Sequence, residues 1–537
     1  GIAVLAFSIT SGTIEDLYQK YLDVHPKLLA EDYTTGVKTY DTHKVLEVYS
    51  YYKNEKGGDV DQGTKLRFVQ TVQVIESDDD TTSAAVQVEK NNPVSLPGLT
   101  SLDATFDSTC MAAYCDHWVS NVISRTGFIE TLEETLGFTS KVDFNAGVVA
   151  AGEAQIESTV TGNDSKSTFE ERGEALRDQS QVYLPINNAL SEVGHVHGFI
   201  QEIGQGIQHI ASRVDNLPSF VQRGNDFRMI TGEGLTFLKI PRSYYGVLTL
   251  NHLMQEVTEL SHDCAAAVVR ACEDNVGVMS SEGAINLDLT EEELILHLQS
   301  SITTQAKEEF KTFQDDIIRT ILQSRYTNLF KLLGDNLSTE TYMSIVRNQI
   351  LVDVQGNDLL FQIFTSNILQ RKPGHESPFL EFIQRVCSSE GDPSSTSATC
   401  PVEMKAGCGG FGIRNFLTLF LSIEVGKAML NVSEAKEMGD LVALAESEKK
   451  VSIFTQQLNE SNPILTAISD AMTEEGDALN DMEEALRIGD NEAAQFHRKR
   501  METAKLDKNA SNEKLMACST KYNELMKSLR TAGITKV

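Results

Sequence analysis

Three short apolar segments each carry one side chain of a kind that binds metal ions. They are Cys115-Asp116-His117-Trp118-Val119, Gly206-Ile207-Gln208-His209-Ile210-Ala211 and Pro378-Phe379-Leu380-Glu381-Phe382-Ile383-Gln384-Arg385. Two imidazoles and one carboxylate, with coordination positions left open, are the donor set of a mononuclear non-haem Fe(II) oxygenase. The carboxylate offsets part of the ion's charge, the imidazoles hold it, and the open positions accept a chelating substrate and dioxygen. The three candidates lie 92 and 172 residues apart along the chain, so only the fold can bring them together. A lone histidine in an apolar strand is usually a hydrogen-bonded core residue, and each histidine taken singly admits that reading. Glu381 differs in kind, because an unpaired carboxylate among Phe379, Leu380, Phe382 and Ile383 is costly. At a strand's period of two it shares a face with Phe379 and Ile383. A metal neighbour explains such burial; an arginine partner or an edge position explains it too.

The elements that must position these residues fall into blocks. Residues 1–95 read as mixed α/β, with strands over Ile2–Ile9 and Val45–Tyr52, helical spacing over Leu17–Leu29 and an edge strand over Thr81–Val88. The punctuation from Asn91 to Gly98 marks a module boundary. Residues 96–245 form the next block, β-rich from Tyr114, with a polar surface insertion over 162–180. Residues 246–345 change character: His252–Cys272, Thr290–Phe310 and Phe313–Leu333 read as amphipathic helices, which makes an inserted helical subdomain. Strands return at Ile350–Asp353 and Leu359–Thr365 within a block 346–424, interrupted by a mobile loop at Ser388–Thr399. Residues 425–537 are rich in Ala, Glu, Met and Leu and read as a helical hairpin or small bundle. The fold class is therefore α+β.

Composition bounds the function. The 537 residues carry 46 Lys and Arg against 77 Asp and Glu, a formal charge of −31. Such a chain repels phosphate backbones and lacks a polybasic anchor, which argues against nucleic-acid binding and against membrane attachment by charge. No apolar run is long enough for a membrane span. The opening Gly1–Ile9 reads as a strand, not as a signal peptide. Eight cysteines without a CxxC pair fit a reducing compartment and neither a zinc knuckle nor a disulfide scaffold.

Longer strings carry a resemblance. Asn348–Asp353, Leu360–Thr365, Phe379–Arg385 and Gly407–Gly412 with Asn415 and Phe416, supported by Leu184–Asn187, Gly206–Ala211, Phe237 and Pro241–Tyr245, make the chain resemble the 4-hydroxyphenylpyruvate dioxygenase family. The C-terminal strings are close to its plant form. The likeness covers about 1–245 and 345–424, and neither the helical insert nor the C-terminal extension. It implies two vicinal oxygen chelate modules of βαβββ type, the first starting partway through. It also implies an Fe(II) cofactor held by His117, His209 and Glu381. Gln208 matches a pocket residue, Gln362 the glutamine that orients substrate, and Phe364 and Phe379 pocket-lining aromatics. Phe411, Asn415 and Phe416 match the lid segment, and Ser158, Pro185 and Asn187 the polar and wall positions of the central strands.

Departures from the family pattern accompany the match. Asn188 and Ala189 replace the family's Glu-Pro. Gly194 falls where the family has a pocket glutamine, with His195 or His197 as the replacement. The segment Asn367–His375 is four residues longer, and Arg414 replaces a glycine of the lid. The resemblance implies conversion of 4-hydroxyphenylpyruvate and dioxygen to homogentisate and carbon dioxide, the partners being a small aromatic 2-oxo acid and dioxygen. A keto-acid dioxygenase of different substrate and a non-catalytic subunit of an assembly are the other readings. An incomplete first module would leave an open sheet edge, which points to a homodimer or a protein partner there or at the helical extension. The expected compartment is the cytoplasm or a plastid, not the exterior.

Overall fold

The computed structural model describes residues 4–9, 12–24, 37–40, 43–53, 59–71, 114–143, 149–151, 154–163, 168–169, 181–280, 283–355, 358–366, 375–386, 404–405 and 410–529. The expected strand Thr81–Val88 and the loop Ser388–Thr399 lie outside them. So does most of the polar insertion over 162–180. The chain divides into two compact units: Gly1–Ser167 with Asp178–Ser212 and Asn367–Glu381, and Thr168–Arg177 with Arg213–Ser366 and Phe382–Val537.

The first unit opens with the order βαβββ: β1 (Val4–Ser8), α1 (Ile14–Val24), β2 (Lys38–Thr39), β3 (His43–Lys53) and β4 (Asp59–Thr71). Their sheet order is β1-β4-β3-β2, with β1 and β4 parallel. Alternation is the cause. Leu46 and Val48 on β3 and Leu66 and Phe68 on β4 turn inward, while Glu47 and Arg67 pair on the opposite face, Nε donating to Oε1 at 2.9 Å. Ile14 and Tyr21, seven residues apart on α1, cover the apolar side. The Gln70 amide closes the start of α1, accepting from the Ile14 N–H at 3.1 Å.

The order βαβββ repeats in β5 (Tyr114–Asn121), α2 (Arg125–Leu136), β6 (Thr139–Asp143), β7 (Val149–Ala151) and β8 (Ala154–Gly162). After the short β9 (Thr168–Phe169), which lies in the second unit, come β10 (Tyr183–Ala189), α3 (His195–Ile203) and β11 (Gly206–Arg213). Within the unit the start of a later strand, β14 (Phe379–Val386), lies beside β11, followed by β5, β10, β8 and β6. The two sheets of the unit share one core: Val122, Phe128, Leu132, Leu184, Ile186 and Ile207 join the residues just named. The Tyr21 hydroxyl donates to the Thr135 carbonyl at 2.9 Å across it.

In the second unit, α4 (Leu217–Thr231) precedes a helical insert of α5 (Leu250–Glu256), α6 (His262–Glu273), α7 (Glu291–Ser301), α8 (Thr304–Thr312), α9 (Gln314–Gln323), α10 (Thr327–Leu333) and α11 (Thr339–Arg347). The insert has its own apolar core, running from Leu248 to Ile321. The three long helices expected there are each divided in two. Ser261 caps α6 by accepting from the Cys264 N–H, and Thr303 stands as the extended cap residue of α8. Those caps fix a helix start where apolar periodicity alone runs on. The run from Tyr114, expected as short β-rich segments, likewise holds α2, α3 and α4, two of them capped by Ser124 and Asn216. β12 (Leu351–Gln355) and β13 (Asp358–Phe364) then pair antiparallel, and β15 (Met404–Lys405) pairs with β9.

The C-terminal bundle consists of α12 (Ile413–Met438), α13 (Leu441–Ile488) and α14 (Asn491–Leu529). α13 runs through Pro463 without a break. Its acidic residues meet basic ones of α14 in register: Glu460 with Lys521 at 2.7 Å, Glu475 with Lys505 at 3.7 Å, and Asp481 with Arg500 at 2.7 Å. Among the described residues no helix is long and apolar enough to cross a membrane.

Candidate metal centre

Strand alternation sorts β5 into two faces. Trp118 packs toward the shared core, its ring edge-on to Phe7 at 6.0 Å. His117, Val119 and Asn121 therefore take the opposite face. On β10, Leu184 and Ile186 belong to the core, which sends Pro185 and Asn187 to the same side as His117. The register sets Asn187 beside Asn121 and Ser158 beside Asn187.

Three side chains converge there. The metal-ligating atoms of His117, His209 and Glu381, all buried, lie within 4.8 Å of one another. Glu381 Oε2 is 3.3 Å from His117 Nε2 and 3.1 Å from His209 Nε2. Both imidazoles are held from behind. His117 Nδ1 lies 2.8 Å from Asp116 Oδ1, and His209 Nδ1 lies 2.9 Å from Gln208 Oε1. With Nδ1 facing an acceptor, each ring turns its Nε2 toward the carboxylate. An outer-shell acceptor on the second nitrogen is how metal-binding histidines are oriented.

The electrostatics fit a site waiting for a cation. Burial pushes the Glu381 carboxyl up, yet the hydrogen bonds and charges of His117 and His209 outweigh it and bring it down to about 2. Burial pushes His117 down, and its bonds to Asp116 and Glu381 reverse this, raising it to about 9. For His209 burial wins over Glu381, with the charges of His117 and His195 adding to it, and the group is lowered. A buried carboxylate between two imidazole nitrogens offers one negative charge and three donor atoms. That set suits a divalent first-row metal.

The chain is similar to plant 4-hydroxyphenylpyruvate dioxygenases. That of Daucus carota is 30% identical over 36% of this chain and 51% of its own length. That of Arabidopsis thaliana is 28% identical over 51% and 55%. That of Hordeum vulgare is 37% identical over 20% and 23%. The chain thus spans about half the length of the first two. No family model matches. Among solved structures, a mutant of 4-hydroxymandelate synthase from Streptomyces coelicolor covers 74% of this chain and 75% of its own, with 14% identity and a TM-score of 0.31.

The other residues singled out from the sequence divide between the units. Beside the cluster, Phe379 stacks on the His209 ring with centroids 4.7 Å apart. Asn187 Nδ2 donates to Asn121 Oδ1 at 3.3 Å, and Ser158 is buried in the next strand. In the second unit, Gln362 and Phe364 are buried on β13. There the Val352 N–H donates to the Tyr244 hydroxyl at 3.0 Å, which donates to Asn415 Oδ1 at 2.8 Å, and Asn415 Nδ2 donates to Gln362 Oε1 at 2.9 Å. Arg385 lies over the Phe411 ring, 5.4 Å from its centroid. Arg414 and Phe416 fall in the first turns of α12, and their side chains lie outside the described ones.

Three residues near the cluster, Asp116, Asn121 and Glu376, carry no role read from the sequence, and a fourth, His195, only an alternative one. Asp116 had one signal, its place directly before a candidate ligand. Asn121 had another, its spacing of four from His117, which returns a strand residue to the same face. His195 was one of two replacements for the family glutamine; it is the buried one, paired with Glu376, while His197 is half-buried. Glu376 had no signal. Among the described residues, the buried Asn121 Nδ2, Asn187 Oδ1 and Gln208 Nε2 make no hydrogen bond. Leaving such atoms unpaired costs about 1–3 kcal/mol each, which a polar ligand would offset.

Proposed function

We propose that this protein is an Fe(II)-dependent dioxygenase that converts 4-hydroxyphenylpyruvate and dioxygen to homogentisate and carbon dioxide. One observation carries the reading: two buried imidazoles, each fixed through Nδ1, aim Nε2 at one buried carboxylate. The donor set fits Fe(II), and the similarity to plant dioxygenases of that name agrees with it. Fe(II), when bound, would supply Lewis acidity and dioxygen activation.

The chain's own residues would supply the rest. His117, His209 and Glu381 would hold the ion, while Asp116 and Gln208 keep both rings in the tautomer that can bind it. Phe379, flat against His209, would flank an aromatic ring and exclude water. Asn121, Ser158 and Asn187 line one face with amide and hydroxyl groups for a polar substituent of the substrate. The resemblance gives Gln362 the task of orienting substrate, with Phe364 as wall and Asn415 and Phe416 as lid; those tasks belong to the proposal. So does a cytoplasmic or plastid location.

The test is metal analysis of the purified chain, with oxygen uptake on adding Fe(II) and 4-hydroxyphenylpyruvate. One iron per chain and uptake matched by homogentisate and carbon dioxide support the full reading. Iron with uptake on another aromatic 2-oxo acid alone would replace the substrate. Absence of metal binding would overturn the reading and favour a non-catalytic role.

A further inference from the structure

Helix α3 grips the segment that leads into Glu381. His195, Gly198 and Glu202 stand at i, i+3 and i+7 on one face of α3. His195 Nδ1 is hydrogen-bonded to Glu376 Oε2. Glu202 Oε2 accepts from the Glu376 backbone N–H at 3.1 Å and lies 3.1 Å from His375 Nδ1. Between these ties Gly198 leaves the room that the Glu376 carboxylate fills. A Cβ there would lie 2.9 Å from Oε1 and 3.2 Å from Cγ. His195 and Glu376 are only 4% and 5% exposed, so the pair acts at low dielectric.

The grip reaches the metal centre along two short paths. Along the chain, only four residues lie between Glu376 and Glu381, and β14 begins at Phe379. An extended segment that short has little slack to absorb a shift. Across space, the Phe379 ring meets His195 at 6.2 Å between centroids and stacks on His209 at 4.7 Å.

We propose that His195 and Glu376 are positioning residues of the metal centre: the grip of α3 on 375–376 sets where Phe379 and the Glu381 carboxylate stand. This rests on the metal-binding reading above. A buried imidazole–carboxylate pair is a costly device unless its geometry is what matters, and here it fixes the approach of a ligand.

The test uses the metal-free 537-residue chain titrated with Co(II), followed by calorimetry and by the visible absorption of the bound ion. Gly198→Ala adds a neutral wedge beside the carboxylate, and Glu376→Ala removes it. Each is expected to weaken Co(II) binding about tenfold, the scale of lost outer-shell support, and to change the absorption bands. His195→Gln keeps a donor toward Glu376 and is expected to stay close to the parent chain. Parent-like affinity and spectrum in both Gly198→Ala and Glu376→Ala would overturn the proposal. Melting curves accompany every titration, and if Glu376→Ala does not fold, Gly198→Ala decides alone. His117→Ala separates the two readings: it must abolish Co(II) binding, and if it binds like the parent the metal-binding reading itself falls.

Discussion

In the metal-free chain a proton takes the place of the cation, and its energetic weight can be worked from the structure. His117 is raised from its ordinary 6.5 to about 9, because its bonds to Asp116 and Glu381 outweigh burial. A group raised on folding stabilises fully below its unfolded value and loses that contribution as pH rises through the folded one. The window is therefore pH 6.5 to 9, and at about 1.4 kcal/mol per pH unit it amounts to about 3 kcal/mol. The lowering of Glu381 to about 2 is the same contact seen from its partner, and it acts only in acid. The chain has a single tryptophan, and Trp118 adjoins His117 on β5, so its fluorescence reports unfolding of the strand that matters. Urea unfolding followed at Trp118 should show stability falling between pH 6.5 and 9. In His117→Gln the fall should shrink by about 3 kcal/mol. Saturating Co(II) should flatten the slope, since the ion holds the folded ring deprotonated throughout that window. Equal slopes in the parent and His117→Gln would refute the account of the buried contact.

Three further outcomes follow from the same geometry. Glu381→Ala should lower metal content from about one per chain toward zero while melting stays cooperative; retained metal would remove Glu381 from the ligand set. Asp116→Ala and Gln208→Ala should each free an Nδ1 and weaken Co(II) binding by about 10–100-fold, with parent-like affinity showing that the tautomers need no support. Gly412→Ala should cost about 1–3 kcal/mol, because Gly412 has φ 69° and an added Cβ would meet the Gln362 amide. An unchanged melting temperature would show that the amide has room to move.

The sequence was most informative where a polar residue sat in an apolar strand. Glu381 among phenylalanines announced a buried partner, and period-two alternation correctly joined it to Phe379. Its meeting with His117 and His209 was not legible from spacing, because separations of 92 and 172 residues are closed by strand order, which local pattern does not encode. Asp116 was missed for a related reason. Alternation sends neighbours to opposite faces, yet its carboxylate reaches the imidazole next to it, a matter of rotamer and not of pattern. The grip on Glu376 depends on the space at Gly198, which no residue type announces. In the helical insert the stripe of apolar residues was read correctly and its interruptions at Ser261 and Thr303 were passed over, although both are cap-forming types. Composition sufficed for the long C-terminal helices, and there Pro463 was tolerated where a propensity rule would place a break.

The charge register of the C-terminal hairpin has a mechanical consequence. At 1.5 Å per residue, the 48 residues of α13 extend about 72 Å. Each exposed ion pair along that length contributes little on its own. Sliding α14 by one turn would part Lys521 from Glu460 and draw Arg500 from Asp481, while Glu475, which meets both Lys505 and Lys508, would keep one of them. The pairs at Glu460 and Asp481 resist shear together, which makes the hairpin a strut whose register is held at two points along its length.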